Sequence, residues 1–196
     1  ICTANRIGEA SRESMQEAIT SMTTLNKKAA EISREYRIHA CTDVTGFGFL
    51  GHLHEMMDGK HSCHIFAKQV PVMQNVLRYA DEFYLTAAAQ KNRNHVGEYV
   101  QFENISFAME EVLFDPQTSG GLLLAVHPED ASEMVKRMQE CGLPAAVVGE
   151  IVEKADVEIH IREEILSGAV AGRMSFQRAF MAGEMTMKGD FGTLRT

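Results

Sequence analysis

The sequence lacks long apolar runs and clusters of basic residues, and each absence excludes a class of protein. Its longest unbroken apolar stretch is Leu122 to Val126, far short of the roughly 20 residues that a membrane-spanning helix needs. Lys and Arg number 19 against 27 Asp and Glu, a formal net charge of −8. An acidic chain without a Lys/Arg run argues against binding to the phosphate backbone of nucleic acid or to an anionic membrane surface.

Cysteine is also scarce. The four cysteines form no C-x-x-C pair, so we expect free thiols, a reducing environment and a cytoplasmic location. Cys41 and Cys63 fall in predicted strands and are expected to be buried, inert thiols. The first ten residues have neither the basic start nor the apolar stretch of a signal peptide. Because the chain begins at Ile1 rather than Met, we expect it to be a piece of a longer protein.

Of the 196 residues, 45% are hydrophobic and 23% are charged, which indicates a folded domain, or one domain and a fragment. Periodicity alternates between helices and strands and predicts an α/β or α+β class. We predict one long loop at 86–106, and a buried central strand at 122–126 because both of its faces are apolar. The predicted helices are 7–36 (with a possible break at 21–24), 46–57, 74–83, 128–141 and 164–182, with a helical turn at 108–113; the predicted strands are 38–41, 63–67, 122–126, 145–148, 157–161 and 184–188. Strand 184–188 has no obvious partner.

The first candidate site is the segment 43–51, where a strand ends at Asp43 and glycines lead into a helix. The first N–H groups of such a helix bind phosphate oxygens, and an adjacent carboxylate can hold Mg²⁺ against them. The alternative is that Asp43 or Thr45 only caps the helix.

Gly46, Gly48 and Gly51 also match G-x-G-x-x-G, the dinucleotide-binding fingerprint. That fingerprint requires an acidic residue about 20 positions later, at the end of the next strand. No acid stands there, and a long helix precedes the motif, so we do not favour this interpretation.

A second cluster has the composition of a zinc site. However, positions 52 and 54 of a helix point about 200° apart, and the i, i+4 spacing typical of zinc ligands on a helix is absent. We therefore predict a polar helix end and a surface turn without structural zinc. The residues of this cluster are His52, His54, Glu55, Asp58, His61, Cys63 and His64.

Two further segments carry candidates of lower specificity. Residues 115–121 (DPQTSGG) form either a phosphate-facing or interface loop, or simply a well-made turn. In the predicted loop 86–106, Lys91, Arg93 and His95 could hold an anion, although charge runs of this kind are more often only solvated.

Two of these runs resemble the selenophosphate synthetase (selenide, water dikinase) family, in the order in which that family has them. They are residues 39–52 (HACTDVTGFGFLGH) and 115–123 (DPQTSGGLL), and residues 21–30 (SMTTLNKKAA) resemble the helix that precedes the first. The resemblance covers residues 1 to about 162. It implies the α/β sandwich of the C-terminal half of aminoimidazole-ribonucleotide-synthetase-like ATP enzymes, a mixed sheet with flanking helices.

The resemblance implies the reaction ATP + selenide + water → AMP + phosphate + selenophosphate. It also implies that the catalytic Cys or selenocysteine, its Lys partner and the ATP loop belong to a preceding N-terminal domain, so no catalytic residue is assigned in this chain. Asp43 matches a Mg²⁺-binding aspartate of the family. The implied partners are the N-terminal ATP-binding domain and a second copy in a homodimer.

This chain departs from the family pattern at two places. Ala87 to Ala89 stand where a Gly-Gly-Thr-type loop is expected, which puts the path of that loop in doubt because alanine does not copy positive-φ conformations cheaply. The tail, 163–196, faintly resembles part of a sterol-carrier-type lipid-binding domain. We therefore expect one domain at 1–162 followed by a tail. The alternative function is a stand-alone binding or scaffold module whose tail contacts lipid or protein.

Overall fold

The structure is a computed structural model that describes residues 1–154, 157–161 and 185–189. It separates into two compact units, residues 1–152 and 153–196. The predicted helix 164–182 and most of the sterol-carrier-like tail lie outside the described residues. No helix in the described part of the chain is both long enough and apolar enough to cross a membrane.

The first unit contains helices and strands that alternate, as predicted. Short 3₁₀ turns lie at Ala67–Gln69 and Gly97–Tyr99. The described helices are α1 (Cys2–Arg6), α2 (Arg12–Thr23), α3 (Lys27–Ser33), α4 (Gly48–Met57), α5 (Val76–Asp81), α6 (Ala87–Val96), α7 (Phe107–Phe114) and α8 (Pro128–Glu140); the strands are β1 (Ile38–Asp43), β2 (His61–Ile65), β3 (Leu122–Val126) and β4 (Gly149–Glu153).

Local signals explain where several helices begin. Ser11 caps α2 by accepting a hydrogen bond from the Ser14 N–H, and Ser106 caps α7 in the same way through Met109. Helix α8 starts at Pro128, where the missing proline N–H costs no hydrogen bond within the helix. Its first turn carries Glu129 and Asp130, which favour a helix N-terminus. These local signals mark the starts of the three helices.

The strands of the first unit form two separate pairs. Strand β1 runs antiparallel to β3, with Asp43 opposite Leu122, and β2 pairs with β4. This confirms an α+β domain. The expectation that Leu122–Val126 is a central strand is wrong: within the described residues β1 is its only partner, and Leu123 and Ala125 are its two buried residues.

Two apolar clusters hold the first unit together. One joins α4, α6, α7 and β3 through residues such as Leu50, Leu113 and Phe114. The other packs α3 against α8 through Ile32, Met134 and Met138, with β1 and β3 at its border. Because α4 belongs to the first cluster, that cluster anchors the end of the β1–α4 turn at which the helix begins.

Three predicted segments differ from the structure. The helix predicted at 7–36 is divided into α2 and α3, with the break at 24–26 rather than 21–24. The predicted loop 86–106 contains α6, because Thr86 caps a run of three alanines that favours helix. The doubt about Ala87–Ala89 is thereby resolved within this fold: they form the first turn of α6. Residues 145–148 are not a strand; pairing with the β2 side begins where Val148 accepts a hydrogen bond from Phe66 N–H (2.9 Å).

The second unit contains β5 (Val157–Ile161) and β6 (Met185–Gly189), which pair antiparallel. The two predicted strands are confirmed to within one residue, and β5 is the partner that the sequence did not reveal for β6. The contacts group β5 with the later residues of the chain. The predicted domain boundary after residue 162 stays a prediction.

We expect the first unit to fold alone, since both apolar clusters consist of residues before 152. A chain that ends at Lys154 should melt in one cooperative transition at nearly the temperature of the full chain. Calorimetry of both chains tests this. A broad, non-cooperative transition in the shortened chain would show that later residues complete the core.

Candidate functional site

Asp43 is the last residue of β1, and its side chain is exposed. Within the described residues its carboxylate takes part in no hydrogen bond or ion pair. Helix α4 begins five residues later, with Phe47 at its N-cap position and no side-chain cap. The alternative in which Asp43 or Thr45 caps this helix is therefore wrong, and the Asp43 carboxylate is free to bind a cation.

The two candidate loops, distant in the sequence, lie side by side. The Val44 N–H donates to the Gly121 carbonyl (2.9 Å), and the Gln117 N–H donates to the Thr45 carbonyl (2.9 Å). A Cβ atom on Gly120 would overlap the Val44 carbonyl oxygen. Residues 115–121 are thus more than a turn: they support the loop that follows Asp43.

Asn92 on α6 joins the same loop to the end of α7. It is buried, and its side-chain amide donates to the carbonyls of Gly46 (3.0 Å) and Phe114 (2.9 Å). Sequence reasoning missed Asn92 because the segment around it was predicted to be an irregular loop. A helical reading would have placed Ala89, Asn92 and Val96 on one buried stripe.

Replacing Asn92 by Leu should destabilise the first unit by roughly 2–6 kcal/mol. The new side chain is similar in size but leaves two carbonyls without their donor, at about 1–3 kcal/mol each. Asn94 on the same helix is exposed, so Asn94→Leu is the matched control. Urea melts of both variants measure the difference, and equal stabilities would contradict the assigned hydrogen bonds.

Half-buried Asp115 lies at the junction of the two loops with α6. Its Oδ1 accepts a hydrogen bond from the Thr86 hydroxyl (3.2 Å), which is also the N-cap of α6. Burial raises the pKa of the Asp115 carboxyl, while the bond from Thr86 lowers it. The nearby negative charge of Glu111 raises this pKa further.

The three candidate anion-binding residues do not converge. The Arg93 guanidinium pairs with Glu110 (3.0 Å) and Glu111 (2.8 Å) and lies over the Phe114 ring. The prediction that Arg93 helps to hold an anion is therefore wrong. Lys91 and His95, one helical turn apart, border a cleft of about 430 Å³. The other residues lining this cleft are Gly46, Phe47, Ala88 and Asn92.

Three side chains of the suspected zinc cluster have partners outside it, and His52 pairs with Glu55. His54 stacks on Tyr99 (4.6 Å between ring centroids), Asp58 pairs with Lys60, and His64 Nδ1 lies 3.3 Å from Glu150 Oε1. Across the described ranges, no three His, Cys, Asp or Glu side chains come together in a way that could hold a metal ion.

Two of the three glycines of the G-x-G-x-x-G match, Gly48 and Gly51, allow close packing. Gly48 has φ +69°, and a Cβ there would lie 2.7 Å from the Phe114 carbonyl oxygen. Strand β1, which precedes them, is paired antiparallel to β3 rather than in the parallel βαβ unit of a dinucleotide-binding domain. The geometry therefore also argues against the dinucleotide interpretation.

One of the two thiol predictions fails. Cys41 is exposed, because residues 41 and 43 lie on the open face of β1. Cys63 is half-buried, and burial raises the pKa of its thiol, as expected for an unreactive cysteine.

Fold and site together define an α+β domain. The Asp43 carboxylate lies at the end of β1, and backbone hydrogen bonds join the loop that follows it to the loop 115–121. The family described as AIR synthase related protein, C-terminal domain, matches residues 2–162. The chain belongs to this family. The assignment confirms the fold class expected from the sequence.

Curated relatives make the comparison more specific. A protein named selenide, water dikinase from Agathobacter rectalis is 56% identical over 162 residues, covering 82% of this chain and 47% of the relative. Proteins of the same name from Pelobacter propionicus and Desulfitobacterium hafniense strain Y51 are 43% and 42% identical, covering 79% and 76% of this chain and 45% and 44% of their own lengths. The chain thus spans about half the length of the curated relatives it matches, and it is similar to selenophosphate synthetases.

Proposed function

We propose that this chain is the C-terminal domain of a selenophosphate synthetase. In that role it acts with a preceding ATP-binding domain to convert ATP, selenide and water into selenophosphate, AMP and phosphate. The 56% sequence identity to a protein named selenide, water dikinase carries the proposal, and the family match to a C-terminal domain supports it. A cytoplasmic homodimer is the form we expect for the whole enzyme.

Asp43 is the residue we propose for Mg²⁺. Its carboxylate is exposed and has no competing partner among the described residues, and it offers the hard oxygen ligand that Mg²⁺ prefers. One protein carboxylate fits this ion, because substrate phosphates and water supply its remaining ligands. When bound, Mg²⁺ neutralises charge on the phosphoryl groups that are transferred.

The surrounding residues keep that carboxylate in place. Asn92 holds Gly46, and the 115–121 loop holds Val44 and Thr45 through backbone hydrogen bonds. A fixed loop lowers the cost of orienting the carboxylate toward the nucleotide.

A chimera tests the function. Residues 1–162 of this chain replace the matching segment of the Agathobacter rectalis relative, and that relative itself is the positive control. We expect selenide-dependent AMP release by the chimera, with selenophosphate detected by phosphorus NMR.

The 196-residue chain alone should release no AMP, because the family's nucleophile and ATP loop belong to the preceding domain. A folded chimera without activity, alongside an active relative, would contradict the proposed function. Selenide-dependent AMP release by the chain alone would contradict its dependence on a second domain.

A further inference from the structure

His52 on α4 has partners at both ring nitrogens. It is 8% exposed, its Nε2 lies 3.1 Å from Thr45 Oγ1, and its Nδ1 lies 3.1 Å from Glu55 Oε2. The ring therefore bridges a surface carboxylate and the loop that follows Asp43. None of the other histidines in the suspected zinc cluster contacts this loop through a described hydrogen bond.

The partners assign the hydrogen positions. An ionised Glu55 carboxylate only accepts hydrogen bonds, so the neutral imidazole carries its hydrogen on Nδ1. Nε2 is then an acceptor, and the Thr45 hydroxyl donates to it. Glu55, His52 and Thr45 form one directed chain of hydrogen bonds.

Thr45 is the point at which the loop is held from three sides. Its carbonyl oxygen accepts from the Gln117 N–H (2.9 Å) and from the Gly48 N–H (3.0 Å). Its hydroxyl is held by His52. Since Thr45 stands two residues after Asp43, a rotation of its backbone would change where the Asp43 carboxylate points.

We propose that His52, oriented by Glu55, is a positioning residue that acts through Thr45 to hold the Asp43 carboxylate in its cation-binding direction. This inference rests on the proposed function. The i, i+3 spacing of His52 and Glu55 on α4 is the one sequence signal that could have indicated the pair.

Substitutions in the chimera separate this role from a purely structural one. His52→Leu removes the acceptor, Thr45→Val removes the hydroxyl with little change in shape, and His52→Gln keeps an acceptor on the side chain. His54→Leu is the matched control, because His54 lies on the same helix but stacks on Tyr99.

The measured quantities are the Mg²⁺ concentration for half-maximal rate and kcat at saturating Mg²⁺. His52→Leu and Thr45→Val should each raise the required Mg²⁺ about 10–100-fold, the usual effect of removing a residue that orients a metal ligand. The double variant should be no worse than either single variant, because both remove one interaction. His52→Gln should recover most of the loss, and His54→Leu should match the parent.

A measurement on the 196-residue chain needs no activity. Long-range ¹⁵N–¹H correlation spectra should show His52 as the Nδ1–H tautomer, and Glu55→Ala should change that tautomer balance. The Nε2–H tautomer in the unsubstituted chain would overturn the inference directly.

The activity data distinguish two failures. An inactive parent chimera would overturn the proposed function and this inference with it. An active parent in which His52→Leu and Thr45→Val lower stability or kcat but leave the Mg²⁺ requirement unchanged would overturn the positioning role alone. Thr45→Val decides the matter if His52→Leu does not fold.

Discussion

Asp43→Asn in the chimera is expected to keep the fold and to lower turnover by about a hundredfold or more, equivalent to about 2.7 kcal/mol of transition-state stabilisation. Asn keeps the shape and one oxygen of the side chain but loses the negative charge that Mg²⁺ requires. The fold should not change, because within the described residues the Asp43 carboxylate neither caps α4 nor pairs with a cation.

Two measurements on this variant separate binding from folding. Its melting temperature should equal that of the parent chimera, while its rate should recover partly as Mg²⁺ is raised. The matched control is Asp81→Asn, which removes an exposed carboxylate at the end of α5. The control should show the parent rate at every Mg²⁺ concentration. Near-parent turnover of Asp43→Asn at ordinary Mg²⁺ would leave the proposed metal site without its ligand.

The local part of this site was predictable from the sequence. A strand that ends at an acid, followed by glycines and an apolar helix, predicts a strand–turn–helix unit, and the structure has β1 and α4 there. Those signals are short-range, since they depend on turn chemistry and on the period of apolar residues. The resemblance to a known family rested on the same contiguous runs.

The neighbours of the site were not predictable, because they come from distant parts of the chain. No periodicity shows that Gln117 donates to Thr45 or that Asn92 holds Gly46. Predicting a loop at 86–106 also placed Lys91, Arg93 and His95 together. On the observed helix, position 93 points about 200° away from 91, and Arg93 pairs with Glu110 and Glu111 instead.

The contact between the two loops leads to the second large expected effect. Gly120→Ala should destabilise the first unit by about 3 kcal/mol, because its Cβ would overlap the Val44 carbonyl oxygen. The neighbouring atom is backbone, so a rotamer change cannot relieve the overlap, and the two loops must move apart. Separation would weaken the bonds from Val44 to Gly121 and from Gln117 to Thr45.

The adjacent glycine supplies the control. A Cβ on Gly121 meets nothing within 4 Å, so Gly121→Ala should be nearly neutral in stability. At roughly 2–4 °C per kcal/mol for a chain of this size, Gly120→Ala should lower the melting temperature by about 6–12 °C. In the chimera it should also raise the Mg²⁺ requirement, because the displaced loop directly follows Asp43. Equal melting temperatures for the two alanine variants would show that the loops are not in contact at Gly120. The proposal that the loop 115–121 supports the loop after Asp43 would then have to be rejected.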